Sequence, residues 1–129
     1  MDCLEIYFDG ACQPDGVGTY GFVITRGGRK LYGEGGVACP KDCTNNYAEY
    51  TALVKALEKA LELGADCIHI FGDSQLVVRQ IAGLYKVRAP HLKPLYARAR
   101  ELLQKFRHHE VSWVPRGKNR EADRYARRL

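Results

Sequence analysis

The sequence predicts an α/β domain: a five-stranded mixed sheet, three antiparallel strands then two reached through β-α crossovers, flanked by helices. Three features carry this expectation. Up to Cys39 the chain holds three runs rich in β-formers, joined by short loops, which reads as an antiparallel meander. From Thr44 onward the period changes to that of amphipathic helices alternating with short strands. Those helices are long enough to act as right-handed crossovers, so the later strands add to the same sheet.

In chain order, Cys3–Phe8 alternates, with Leu4, Ile6 and Phe8 on one face, and Asp9-Gly10 ends the run. Thr19–Thr25 is a second strand and Gly27-Gly28 a turn. Lys30–Cys39 is a third, whose glycines Gly33, Gly35 and Gly36 point to bulges or close backbone approach. A core-facing helix over Thr44–Leu63 follows, striped by Tyr47, Tyr50, Val54, Leu57 and Leu61, and Gly64 stops it. Asp66–Phe71 is a buried strand, Gln75–Ala82 a short helix and Pro90–Phe106 a longer one. Glu110–Val114 is the last strand, Pro115-Arg116-Gly117 a loop and Asn119–Arg128 the terminal helix.

The length fits one domain, residues 1–129, with a single core. No apolar run approaches the ~20 residues of a membrane span, and Met1-Asp2-Cys3 lacks a signal-peptide layout, so a cytoplasmic monomer without membrane contact is expected. The net charge is +5, with the excess late in the chain at Arg116, Lys118, Arg120, Arg124, Arg127 and Arg128. That distribution suits a polyanionic partner, although a solvated surface explains it too. Five cysteines at irregular spacing do not make a disulfide framework; reduced thiols are expected, with room for one bridge, and Cys39-Pro-Lys-Asp-Cys43 lacks the second pair a zinc finger needs.

Four carboxylates stand out by position. Asp9 closes the first strand, Glu49 sits in the first turn of the long helix, Asp73 closes the fourth strand, and Asp123 lies in the last helix. Each has a local explanation. Asp9-Gly10 is a turn dipeptide, Glu49 stands three residues after an N-cap at Asn46, Asp73 caps beside Ser74, and Asp123 pairs with Arg127 at i,i+4. In an open sheet, though, the first and fourth strands can lie side by side, bringing Asp9 and Asp73 into the crevice where ligands sit. Like charges that close raise a proton affinity or recruit a counter-ion. Oxygen ligands without an ordered His or Cys favour Mg²⁺ or Mn²⁺, which keep several waters and complete their shell with substrate phosphate.

At this point four segments of the chain resemble the type 1 ribonucleases H. They are Tyr7-Phe8-Asp9-Gly10-Ala11-Cys12, Thr44-Asn45-Asn46-Tyr47-Ala48-Glu49, Gly72-Asp73-Ser74-Gln75 and Asn119-Arg120-Glu121-Ala122-Asp123, in the family's D-E-D-D order and spacing. The resemblance implies the ribonuclease H fold and metal-dependent cleavage of the RNA strand of an RNA–DNA hybrid. It implies Asp9, Glu49, Asp73 and Asp123 as catalytic metal ligands, holding two Mg²⁺ when substrate is bound, with Mn²⁺ as a substitute. Two such ions about 3.5–4 Å apart flank one scissile phosphate, and in-line attack by water leaves a 5′-phosphate and a 3′-hydroxyl. The matching substrate contacts are Cys12, Asn45, Asn46 and Gln75 toward the minor groove, where amides both donate and accept, and Thr44 toward a DNA phosphate. A helix cap is the competing explanation for Thr44, Asn45 and Asn46.

The departures from that pattern carry expectations of their own. The loop before the last aspartate, Pro115-Arg116-Gly117-Lys118, has no histidine, so Arg116 or Lys118 is the available group there. His108 and His109 are expected before the strand, and His69, His91 and Trp113 are expected to be structural. Gly83–Ala89 offers only Lys86 and Arg88 with Tyr85 where some relatives carry a basic helix, which implies weaker hybrid binding. Three other readings stay open: a relaxed nuclease that also cuts double-stranded RNA, a non-catalytic hybrid- or dsRNA-binding module, and a domain of a larger reverse transcriptase or nuclease. The last is disfavoured by the start at Met1.

Overall fold

A computed structural model describes residues 2–127. In order these form strands β1 (Leu4–Cys12), β2 (Gly18–Arg26) and β3 (Arg29–Cys39), helix α1 (Asn45–Glu62), strand β4 (Cys67–Gly72), helices α2 (Gln75–Ile81) and α3 (Lys93–Leu103), strand β5 (His108–Trp113), a 3₁₀ turn (Arg116–Lys118) and helix α4 (Arg120–Ala126). The five strands make one mixed sheet ordered β3-β2-β1-β4-β5. β1, β2 and β3 pair antiparallel, while β4 joins β1, and β5 joins β4, in parallel. The expected α/β, ribonuclease H-like architecture is therefore the one observed.

The core lies on one face of the sheet. Leu4, Ile6 and Phe8 of β1 and Phe22 and Ile24 of β2 are buried against Tyr50, Leu53 and Leu57 of α1. α1 is buried well beyond the stripe read from its sequence, because α3 packs along it as well as the sheet. Small residues at Ala48, Ala52, Ala56 and Ala60 suit that double contact. α4 covers the other face of β2 and β3, where the strand glycines are explained by close approach. A Cβ on Gly21 would meet the Ala122 carbonyl oxygen at 2.4 Å, and one on Gly35 the Tyr125 carbonyl oxygen at 2.2 Å.

Several boundaries differ from expectation for identifiable reasons. β1 runs on through Asp9 to Cys12 because β2 keeps pairing with it as far as Gly18, although the parallel ladder to β4 stops at Phe8 and Gly72. The N-cap of α1 is Thr44 and not Asn46: its hydroxyl accepts from the Tyr47 N–H at 3.2 Å. Glu49 is thus the fifth helical residue and no part of a capping box. α3 is shorter than Pro90–Phe106, and Phe106 packs into the core from beyond its end. His108 and His109 open β5 instead of preceding it, the segment Arg116–Lys118 is a 3₁₀ turn, and α4 ends at Ala126, with Arg128 outside the described residues.

The cysteines also depart from the reduced state expected. Cys3 and Cys67, next in register to the Leu4–Ile68 pair, are joined in a disulfide, and Cys39 joins Cys43 across the β3–α1 turn. Cys12 is the free thiol. Among the described residues no helix is long and apolar enough to cross a membrane.

Candidate active site

The parallel ladder sets the site. Phe8 and Gly72 are its last pair, so Asp9 and Asp73 emerge side by side at the carboxyl end of β1 and β4. Glu49 arrives from the first turns of α1, which comes very close to β1 at Gly10: a Cβ there would lie 2.3 Å from the Ala48 carbonyl carbon. The Gly10 N–H then donates to both carboxylates, to Asp9 Oδ1 at 2.9 Å and Glu49 Oε1 at 3.0 Å. Asp9, Glu49 and Asp73 each present an oxygen atom such that all three lie within 4.8 Å of one another.

The chemistry of this trio is that of an anion hole turned inside out. Asp9 and Glu49 are 7% and 4% exposed. Burial, with the Asp73 charge adding to it, pushes the Asp9 carboxyl up to about 6, against the hydrogen bond shared with Glu49. Burial first, then that shared hydrogen bond and the charges of Asp9 and Asp73, raise Glu49 well above the usual carboxylate range. Glu49 Oε2 is buried with no hydrogen-bond partner. Two buried acids, an orphaned oxygen and a purely oxygen donor set fit a hard divalent cation, which would relieve all three strains at once.

The fourth carboxylate lies at the edge of the trio. Asp123, on α4, reaches Asp9, but its Oδ2 accepts from Arg127 Nε at 2.9 Å and from Arg127 Nη2. That hydrogen bond is the main reason its carboxyl sits below the usual range, and the hydrogen bond shared with Asp9 and then the charges of Arg127 and Arg116 add to it. Of the two loop cations, Arg116 acts on Asp123. Lys118 lines a cavity of about 210 Å³ beside Tyr7, Val23 and Thr25.

The sequence did not single out Asn119 as a site residue. It is 1% exposed, and its Nδ2 donates to the Phe8 carbonyl at 2.9 Å and to Asp73 Oδ2 at 3.0 Å, tying α4, β1 and the fourth strand's carboxylate together. An amide just before a helix reads as a cap, and only tertiary contact distinguishes it. Trp113, exposed at the end of β5, donates its indole N–H to the Asp73 carbonyl at 3.0 Å.

The residues matched to substrate contacts lie at the end of β1, around the start of α1 and at the start of α2. Asn45 Oδ1 accepts from the Cys12 N–H at 2.8 Å, and Cys12 Sγ donates to the Cys43 carbonyl. Gln75 is exposed at the first position of α2, which Ser74 caps. Thr44 Oγ1 lies 3.2 Å from His91 Nε2, and both line a groove of about 700 Å³ with Asn46, Gln80, Lys86 and Arg88. His91, expected to be structural, therefore faces a basic groove. His69 is the structural one, bonded to Ser112 and stacked on Phe71, while His108 and His109 open β5 at the end opposite its Trp113.

Comparison with known proteins gives the chain's family and fold. Residues 7–129 match the family model described as "Reverse transcriptase-like". The chain is 42% identical over 124 residues to a protein named Ribonuclease HI from Halobacterium salinarum, covering 95% of this chain and 62% of that one. The chain thus spans less than two thirds of that relative's length. The N-terminal RNase H domain of Rv2228c from Mycobacterium tuberculosis superposes with a TM-score of 0.91 at 36% identity, covering 98% of this chain and 91% of that one. LC11-RNase H1, in its complex with an RNA/DNA hybrid, gives a TM-score of 0.86 at 33% identity, with 95% and 92% covered. By sequence and by fold, the chain belongs to the type 1 ribonuclease H family.

Proposed function

We propose that the protein is a divalent-cation-dependent endoribonuclease that hydrolyses the RNA strand of RNA–DNA hybrids and leaves 5′-phosphate and 3′-hydroxyl ends. The observation that carries this reading is the trio Asp9, Glu49 and Asp73, converging from two strands and a helix with oxygen atoms within 4.8 Å of one another. Asp9, Glu49 and Asp73, joined by Asp123, would hold two Mg²⁺, or Mn²⁺, when substrate is present. Such ions supply positive charge to the scissile phosphate and acidify the attacking water.

The chain's own groups do the rest. The Gly10 N–H and the Asn119 amide fix the carboxylate oxygens, so the pocket is formed before a ligand arrives. Asn45 spends its carbonyl on the Cys12 N–H, which leaves its NH₂ to donate to a ribose hydroxyl or a base edge. Thr44, His91, Lys86 and Arg88 offer a cationic and hydroxylic wall for the phosphates of the other strand. The relative solved with an RNA/DNA hybrid supports this choice of substrate.

The test is incubation of the protein with labelled RNA–DNA hybrid, RNA duplex and DNA duplex in Mg²⁺, beside Asp9→Asn and Asp73→Asn. Hybrid cut by the parent and left whole by both variants is the expected result. Cutting by Asp73→Asn at the parent's rate would remove the site, and parent cleavage of RNA duplex at equal rate would favour the relaxed nuclease.

A further inference from the structure

One charged group at the site has no part in the scheme above. Arg127 follows Asp123 by one helical turn and spans its carboxylate with two donors, Nε at 2.9 Å and Nη2, both on Oδ2. This contact keeps Asp123 Oδ2 engaged at the edge of the three carboxylates whose oxygens lie within 4.8 Å of one another. The Arg127 side chain is 72% exposed, and that of Asp123 21%. A solvent-exposed ion pair is weak, and releasing an exposed guanidinium strands no buried charge. A divalent cation approaching Asp123 meets a group that competes for the same oxygen and repels it.

We infer that Arg127 is the exchangeable counter-ion of Asp123, holding that carboxylate until a divalent cation displaces it and so setting the cation concentration at which the pocket fills. This role rests on the proposed function, since it assumes that the carboxylates hold metal. Arg127 is thus a positioning residue that acts through Asp123.

The test reads cation binding without any nucleic acid: calorimetric titration of the protein with MnCl₂. The parent, Arg127→Met, Arg127→Gln, Arg127→Lys and Asp73→Asn are compared, each first shown to be folded by a circular dichroism melt. Losing the competitor should tighten Mn²⁺ binding about fivefold in both Arg127→Met and Arg127→Gln, the scale of an exposed pair. Arg127→Lys should stay within about twofold of the parent because it keeps the charge. Neutral variants that bind as the parent does, or more weakly, overturn the role. If Asp73→Asn binds Mn²⁺ as tightly as the parent, the metal pocket itself fails and this role falls with it. A weakened Asp73→Asn beside unmoved Arg127 variants removes the counter-ion role alone.

Discussion

The Asn119 side-chain amide stands 3.0 Å from Asp73 Oδ2 while also holding the Phe8 carbonyl, so one buried group fixes the carboxylate of β4 relative to the end of β1. Asn119→Ala leaves that carbonyl without its donor and lets Asp73 rotate. The expected cost is about 1–3 kcal/mol of stability and a loss of hybrid cleavage of roughly 10- to 100-fold through misplacement. Urea unfolding and single-turnover cleavage measure the two effects. Parent-like cleavage by a folded Asn119→Ala protein would show that Asp73 needs no such support.

Gly10 is where helix and strand touch. Its absent side chain lets Glu49 approach, since a Cβ would stand 2.4 Å from the Glu49 nitrogen, and backbone on both sides would have to move. Gly10→Ala should destabilise the fold by about 1–3 kcal/mol, as overpacking does. It should also weaken Mn²⁺ binding by separating Glu49 from Asp9. A thermal melt and a calorimetric titration check the pair. A variant with unchanged cation affinity would mean that α1 can withdraw without carrying Glu49 with it.

Strand identity, the switch from meander to crossover, and the convergence of Asp9 with Asp73 were legible because each follows from periodicity and from the rule that parallel strands end together. Local signals misled where two residues compete for one job. Asn46 and Thr44 are both good caps, and Thr44 takes the role because the helix begins two residues earlier than the Asn46–Glu49 spacing suggests. His91 carries no periodic or motif signal, and Asn119, although it opens a quoted segment, carries no signal for its contacts; both depend on residues more than 40 positions away. Asp123 sits in a quoted motif, and the i,i+4 spacing gave its pairing with Arg127; that it reaches Asp9 as well is a matter of side-chain geometry that spacing leaves open. The cysteine pairing is of the same kind: Cys3 and Cys67 meet only because β1 and β4 are parallel neighbours in that register.

The two bridges should contribute unequally. The Cys3–Cys67 link has a sequence separation of 64 and the Cys39–Cys43 link one of 4. Loop-closure entropy assigns about 4 kcal/mol to the first and about 2 kcal/mol to the second. A reductant should therefore lower the urea midpoint of the parent and lower it nearly as much in Cys39→Ser/Cys43→Ser. A midpoint indifferent to reductant in both proteins would mean that neither bridge constrains the unfolded chain.

The carboxylate pocket should make the cation-free protein less stable as pH rises. The Asp9 carboxyl moves from 3.8 to about 6 on folding, and Glu49 moves in the same direction, both chiefly through burial. For an acid whose folded pKa is raised, the folded state binds the proton more tightly. Stability is then full below the unfolded value and lost as pH climbs through the folded one. The window for Asp9 is about pH 4 to 6, and the loss is of order 2–3 kcal/mol at neutral pH, shared with its partner Glu49. Asp9→Asn should accordingly raise the Tm of the EDTA-treated protein at pH 7.5 while abolishing cleavage. The parent's Tm should rise on adding Mg²⁺, with less gain at pH 5, where protons hold the same oxygens. Melts at pH 4, 5, 6 and 7.5 with and without Mg²⁺ decide it, and a Tm of the EDTA-treated parent that rises from pH 4 to 7.5 would contradict the raised acids.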